Sequence, residues 1–428
     1  MRRAPAGGLV WRSAVEADRW PDVATVPVTR VRAAAARLVF RHAAGKLGLR
    51  VARPGAEADV AADVAADLAA GDAGLVLHRP GDFFRRLGVD GPTGFGEAYM
   101  AGDWDTADLA GLLTALGVGY ERLVPAPLRL LRPLLVGRRP AEDHTITGSR
   151  RDIELHYDLP REMFAAFLDE TMTYSCALYA EDARGGPLPD SLAQAQRRKI
   201  EAILDLAGVV DGSRLLEIGT GWGELAIAAA QRGAAVVSIT NSPGQHRAAT
   251  RRVRDAGVDG RVKVELLDYR QVSGRFDAVV SVEMIEAVGD AYWPAYFAAI
   301  DGALAPGGRA AIQAITLPHP RMMQVSRSYS WMDKYIFPGA VIPSRQAIDQ
   351  TLAKHTTLRV ASVRPMAAHY ARTLQAWHER FNAAHDTIIG LGFDETFCRM
   401  WQFYLAYCEA GFRTGLVNVG QYLLERGP

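Results

Sequence analysis

A short apolar strand that runs into a glycine-rich turn and then a helix constrains this chain more than any other feature. It reads "RLLEIGTGWGELAI", Arg214 to Ile227. Leu215, Leu216 and Ile218 suit a strand buried on both faces. Gly219, Gly221 and Gly223 let the backbone turn tightly and come close to a ligand, and the helix that follows aims its free N–H groups at the same place. A helix, Leu192 to Leu206, precedes this unit. After it come strand Ala235 to Thr240, helix Pro243 to Ala256, strand Val262 to Leu267, strand Asp277 to Val282, helix Trp293 to Leu304, a turn "APGG" and strand Arg309 to Ile315. Alternation on this scale predicts an α/β fold whose mostly parallel sheet has helices on both faces. Such sheets bind ligands at the carboxyl ends of their strands.

Dinucleotide enzymes use similar loops, so G-x-G-x-G alone selects no ligand. Two details favour S-adenosylmethionine over NAD. Glu217 lies inside the strand just before the loop, and the glycine spacing differs from G-x-G-x-x-G. One detail departs from the usual methyltransferase pattern: the second strand ends "SITNS" (Ser238 to Ser242), without the acidic residue that ordinarily meets the ribose.

The chain has 428 residues, enough for more than one domain. We expect a smaller N-terminal, lipid- or membrane-facing domain with its linker over 1–147. A methyltransferase domain over 148–428 would follow, with a lipid-binding insertion rich in Pro, Met and aromatics near 316–344. A strand near Leu358 to Val363, two helices and a strand near Leu416 to Leu424 close the chain. Hydrophobic residues make up 49% and charged residues 23%, which is globular, and a net charge of +1 gives no field directed at nucleic acid. Three cysteines without metal-type spacing predict neither a disulfide framework nor a metal site and fit a reducing, cytoplasmic setting. No secretory signal or membrane span is read. Ala24 to Ala56 holds seven Arg or Lys residues and no acidic one, interleaved with Val31, Leu38, Phe40 and Leu47. A basic amphipathic helix of this kind suits an anionic membrane surface; the plainer alternative is a solvated helix face. Gly91 to Asp108 reads as a turn-rich segment.

Longer motifs carry a resemblance. "HYDLPREMFAAFLDETMTYSCALY" (His156 to Tyr179), the glycine loop, "SITNSPGQ" (Ser238 to Gln245), "DYR" (Asp268 to Arg270) and "KYIFPG" (Lys334 to Gly339) together resemble the cyclopropane fatty acid synthase family from about Asp152 onward. "VEMIEAVG" (Val282 to Gly289) and "IQAIT" (Ile312 to Thr316) are most similar to actinobacterial members linked to tuberculostearic acid. The resemblance implies a Rossmann-like methyltransferase domain with a seven-stranded sheet and S-adenosylmethionine as cofactor. It implies cofactor contacts at Tyr174, Ser175, Gly219, Gly221, Thr240 and Gln245 and at Asp268 or Tyr269, to which the loop reading adds Glu217 and Gly223. It also implies a bicarbonate ion held by Cys176, Glu286, Ile315 and Tyr370.

The implied chemistry is methylation of an isolated alkene, which needs a dry site with aromatic faces for the cation and a base for one proton. Tyr157, Phe164, Tyr174, Trp331, Tyr335, Phe337 and Tyr370 are candidates for the lining, Tyr174 and Tyr370 first. Cyclopropane synthases read "GxFEHxG" and "LHTI" where this chain reads "EMIEAVG" and "IQAI". Glu283 therefore replaces a glycine, while Ala287 and Gln313 replace histidines. We expect Glu283 to be a built-in base that replaces or moves bicarbonate, beside Glu286, Tyr370, Cys176 and Gln313; the plainer alternative is a structural pairing of Glu283 with an arginine. The expected product is a 10-methylene acyl chain made from an oleoyl phospholipid. With only one nucleotide-type loop, reduction falls to a separate NADPH- or flavin-dependent reductase. Protein bound peripherally to the inner face of the cell membrane is the expected location, with self-association left open. A true cyclopropane synthase, a methyltransferase for a small substrate and a non-catalytic lipid-binding membrane protein are the alternatives.

Overall fold

The computed structural model describes residues 15–52, 74–123, 159–182, 186–188, 190–326 and 328–427. The expected boundary near 147, and His156 and Tyr157, lie outside the described residues. The chain divides into two compact units, residues 1–137 with 392–403, and residues 138–391 with 404–428.

The first unit holds a three-stranded sheet in the order β1 (Arg50–Ala52), β2 (Gly74–Leu77), β3 (Trp104–Asp105). The helix Arg30–Leu47 forms in the basic segment and packs Phe40 edge-on against Phe83 and Phe84 of the helix Pro80–Asp90. The expected turn-rich stretch after Gly91 is a correction: Pro92–Met100 is a helix, buried from Gly94 to Met100. Gly94 serves packing, not turning. A Cβ on Gly94 would lie 2.1 Å from the carbonyl oxygen of Arg86, so only glycine permits that approach. Within the same unit, Arg399 donates to Asp105 at 2.7 Å and lies over the ring of Tyr99.

The second unit is built on a seven-stranded sheet. Its strands are β4 (Arg214–Ile218), β5 (Ala235–Thr240), β6 (Val262–Leu266), β7 (Phe276–Val282), β8 (Leu304–Thr316), β9 (Leu358–Pro365) and β10 (Asn418–Arg426), in the order β6-β5-β4-β7-β8-β10-β9. The first five pair in parallel, and β10 runs antiparallel to both β8 and β9. The expected "APGG" turn lies inside β8, where the pairing with β7 shifts register.

Alternate residues of each strand feed opposite cores. Leu216, Val279 and Ile312 join Trp293, Phe297 and Ile300 on one face. Leu215, Val280 and Ala311 join Ile200, Ile203 and Leu204 of the helix Leu192–Leu206 on the other. That helix starts on a capping box, Ser191 with Gln194, which fixes its first turn. Among the described residues, no helix is long and apolar enough to cross a membrane.

Candidate active site

The site lies where β4, β5, β7 and β8 end. Between β4 and the helix Glu224–Gln231, Gly219, Gly221 and Gly223 all adopt left-handed φ, at 98°, 52° and 90°. A Cβ on Gly219 would meet Met284 Cγ at 2.6 Å and one on Gly223 would meet the Ala249 Cβ at 3.1 Å, whereas the space at Gly221 is open. At the end of β5, Thr240 donates to Gln245 at 2.9 Å, and Ser242 caps the helix Pro243–Asp255 through the Gln245 N–H. Asn241 donates to Asp268 at 3.1 Å, and its buried Oδ1 has no hydrogen-bond partner among the described residues. Asp268 is also gripped by Arg270, whose hydrogen bonds outweigh burial and hold its carboxyl below the usual range. Tyr269 is buried edge-on against Tyr296. Glu217 lies within the sheet, not in the cradle. Its carboxylate accepts from Ser238, and burial raises its pKa to about 8.

Beyond the cradle, Glu283 follows the end of β7. Its φ is +51°, a left-handed backbone that glycine tolerates and glutamate rarely adopts. The family pattern has glycine at this position, and the strain accompanies a carboxylate held from three sides. Oε1 accepts from the Cys176 backbone N–H at 2.9 Å and from Gln313 Nε2 at 2.7 Å; Oε2 accepts from the Tyr370 hydroxyl at 2.8 Å. Its pairing is with these groups rather than with an arginine. Burial raises the Glu283 pKa, opposed by the three hydrogen bonds and by the charge of Lys199. Glu286, on the turn after β7, accepts the Ile315 N–H at 2.5 Å, while its other oxygen is buried without a partner among the described residues. Burial first, and the Glu283 charge second, raise the Glu286 pKa to about 8.

Cys176 contributes its backbone, the N–H to Glu283 and the carbonyl to Gln313 Nε2 at 3.2 Å. Its thiol is fully buried, and burial pushes its pKa far up, which leaves it neutral and unreactive. Tyr174 and Ser175 precede it in one loop. The Tyr174 hydroxyl meets that of Tyr404 at 2.7 Å, and its ring packs on Phe164, Phe167 and Trp377. Tyr370 joins the same aromatic shell through Trp377 and Phe412, and Phe337 through Tyr404. Trp331 and Tyr335, also expected in the lining, pack on one another. His369 bridges the Tyr179 N–H and Glu181, and His319 meets Ser344.

Residues 144–422 match the family described as mycolic acid cyclopropane synthetase. The chain belongs to that family. It is 49% identical over 423 residues, 97% of either chain, to the tuberculostearic acid methyltransferase UfaA1 of Mycobacterium tuberculosis. It is 34% identical to the cyclopropane-fatty-acyl-phospholipid synthase of Escherichia coli K12, over 81% of this chain and 86% of that one. Among solved structures, the mycolic acid cyclopropane synthase CmaA1 complexed with SAH and CTAB superposes with a TM-score of 0.59 at 28% identity, covering 65% of this chain and 98% of that one. This family member is an S-adenosylmethionine-dependent methyltransferase with an α/β, mostly parallel seven-stranded sheet.

The cradle of this family member fits S-adenosylmethionine. Gly221 has open space where a Cβ would stand, and the free Asn241 Oδ1 is an acceptor where the missing acidic residue would have met a ribose hydroxyl. Bicarbonate does not fit. The Cys176 N–H and Tyr370 hydroxyl are taken by Glu283 and the Ile315 N–H by Glu286, so three of the four ligands the resemblance implies already serve the protein's own carboxylates. A further anion would also face two buried carboxyls. Sequence alone does not single out Asn241 or the buried Lys199. Asn241 sits inside the quoted "SITNS" and is visible as a polar residue at a strand end, whereas nothing local marks Lys199.

Proposed function

We propose that this enzyme methylates the mid-chain double bond of an unsaturated fatty acyl phospholipid, converting an oleoyl chain to a 10-methylene chain, the precursor of a 10-methyl branch such as that of tuberculostearic acid. The observation that carries this reading is the Glu283 carboxylate, fixed by three donors, one of them Tyr370, whose ring packs on Trp377 and Phe412.

Bound in the cradle by the glycine loop, Thr240, Gln245, Asn241 and the Tyr174–Ser175 loop, S-adenosylmethionine supplies a methyl group made electrophilic by its positive sulfur. The chain's own residues do the rest. Tyr174, Tyr370, Trp377 and Phe412 offer ring faces that stabilise positive charge on the acyl chain and keep water away. Once the π bond has taken the methyl, the cation on the neighbouring carbon receives a hydride from the methyl-bearing carbon. Glu283 then takes one proton from the added methyl, and the C–H electrons form the exocyclic C=C. A carboxylate whose pKa burial has raised is better matched to that proton than an exposed one. Glu286 is held neutral by the same burial and adds no second charge below about pH 8.

The substrate lies in a membrane, and the helix Arg30–Leu47 supports approach from its surface. It carries Arg30, Arg32, Arg37, Arg41 and Lys46 with no acidic residue, and Val31 and Leu38 are 83% and 68% exposed. Co-sedimentation with anionic but not neutral vesicles tests this. Reduction to the saturated branch is assigned to a separate reductase.

The deciding experiment incubates pure protein with oleoyl phospholipid and methyl-labelled S-adenosylmethionine and locates the added carbon. Hydrogenation and ozonolysis separate methylene from ring, which share one mass. A methylene product supports the reading, a cyclopropane replaces it with ring closure, and no added carbon sinks it.

A further inference from the structure

A buried lysine outside the mechanism above closes a circuit of hydrogen bonds around Glu283. Lys199, on the helix Leu192–Leu206, is 1% exposed, and its ammonium donates to Ser175 Oγ at 2.8 Å. The next residue, Cys176, gives its N–H to Glu283 Oε1. Gln313 gives its Nε2 to the same oxygen and is oriented in turn by Gln421, whose Nε2 reaches Gln313 Oε1 at 3.2 Å. Gln313 and Gln421 are partners across β8 and β10. Gln421 Nε2 also donates to the Lys199 carbonyl at 3.1 Å, so the circuit returns to its start. Gln196, one turn earlier on the helix, ties the Thr173 and Ser175 carbonyls to the same face.

A lysine is almost never buried this completely without an anionic counterpart. The carboxyls whose charge acts on its ammonium are those of Glu283, Asp169 and Glu217, together with the Cys176 thiol. Glu217 is held neutral below about pH 8 and already receives Ser238. The groups that act on Glu283 are Cys176, Gln313, Tyr370 and Lys199, while Glu286 stays neutral below about pH 8. Lys199 is the single cation in that set.

We propose that Lys199 is a positioning residue of the active site. Its ammonium is the counter-charge that keeps Glu283 ionised in a dry pocket, and its bond to Ser175 holds the loop that presents the Cys176 N–H. This rests on the reading of Glu283 as the proton acceptor. Without the ammonium, burial drives Glu283 toward its protonated form, in which it cannot take a proton. Burial lowers the pKa of Lys199 itself to about 8, so the ammonium is charged near neutral pH.

The test is the pH profile of kcat for labelled-methyl transfer in wild type, Lys199→Met, Lys199→Arg and Glu283→Gln. Lys199→Met is expected to lose at least 30-fold in kcat at pH 7 and to have its acid limb shifted up by about one pH unit or more, so that part of the loss is recovered at higher pH. Lys199→Arg keeps the charge and is expected to keep the limb near the wild-type position. A Lys199→Met profile parallel to wild type, whatever its height, overturns the assignment. Glu283→Gln separates the two ideas. If it keeps full turnover, the base reading fails. If it loses turnover while Lys199→Met keeps the wild-type limb, only the lysine proposal fails. Should Lys199→Met not fold, the infrared difference between wild type and Glu283→Gln reads the carboxyl directly. An ionised Glu283 at pH 7 is expected, and a protonated one at that pH overturns the proposal.

Discussion

The hydroxyl of Tyr370 donates to Glu283 Oε2 at 2.8 Å, joining residues 87 positions apart in sequence. Burial drives the phenol pKa far up, so the group remains a donor throughout the working pH range. Tyr370→Phe removes one of three hydrogen bonds from a buried carboxylate and preserves the ring in the aromatic shell. A charge-assisted bond of this kind contributes about 1.5–3 kcal/mol. The expected result is a kcat lower by about tenfold to a hundredfold, with S-adenosylmethionine affinity near wild type. The acid limb of the pH profile should rise, because Glu283 has lost a group that favoured its charged form. Isothermal titration and labelled-methyl transfer measure the two quantities, and an unchanged kcat would remove Tyr370 from the site.

Glu283 has a left-handed backbone at a position where the resemblance has glycine. Glu283→Gly relaxes that backbone and releases the Cys176 N–H, the Tyr370 hydroxyl and the Gln313 amide. We predict a variant with little turnover of its own whose activity rises with added bicarbonate or formate, small anions that can use the freed donors. Wild type should show no such response. Rescue is read as labelled product against anion concentration at fixed pH; dependence of the wild-type rate on bicarbonate would mean that Glu283 does not fill the anion's place.

How much of the molecule is legible in its sequence depends on the range of the interactions. β4, β5 and the helix Leu192–Leu206 are local patterns of apolar residues, glycines and caps, and their bounds follow from those patterns to the residue. The buried helix Pro92–Met100 reads as turns because Gly94 answers to the neighbouring helix, which sequence periodicity does not reveal. At the site, replacement of a glycine and two histidines marks Glu283 and Gln313 as special. It does not reveal that Glu283 takes the Cys176 and Tyr370 donors, since those bonds span 107 and 87 residues. Lys199 is one of several charges on an amphipathic helix and differs from Arg197 and Arg198 only by facing the sheet.

Glu217 sets a stability prediction. Its pKa is raised from the ordinary carboxyl range to about 8, by burial above all, and Ser238 and Lys199 oppose the rise only in part. A carboxyl with a higher pKa in the folded state binds more protons there than in the unfolded chain. Stability is therefore fully present below about pH 4.5 and declines as the pH climbs toward about 8, by up to roughly 1.4 kcal/mol per pH unit for one such group. Glu286 has the same sign. Glu217→Gln should keep the Ser238 bond, fold normally and flatten this decline. Urea midpoints of both proteins from pH 5 to 8 measure it; identical slopes would show that Glu217 titrates normally in the fold.

Gly219 gives the sharpest test of the cradle. Its φ of 98° disfavours any side chain, and a Cβ there would lie 2.6 Å from Met284 Cγ. Two effects of Gly219→Ala must be separated. The backbone penalty of about 1–2 kcal/mol lowers stability wherever a left-handed glycine is replaced. The crowding pushes on the Met284 side chain, which lies between Glu283 and Glu286 in sequence, and so disturbs the turn beside the cradle. Gly212 is the control, with φ of 80° and open space for 4 Å around the point where a Cβ would stand. We expect Gly212→Ala to lose a similar amount of stability and bind S-adenosylmethionine normally, whereas Gly219→Ala loses at least tenfold in affinity. Equal affinities for the two variants would mean that the cofactor approaches some other part of the sheet edge than this glycine.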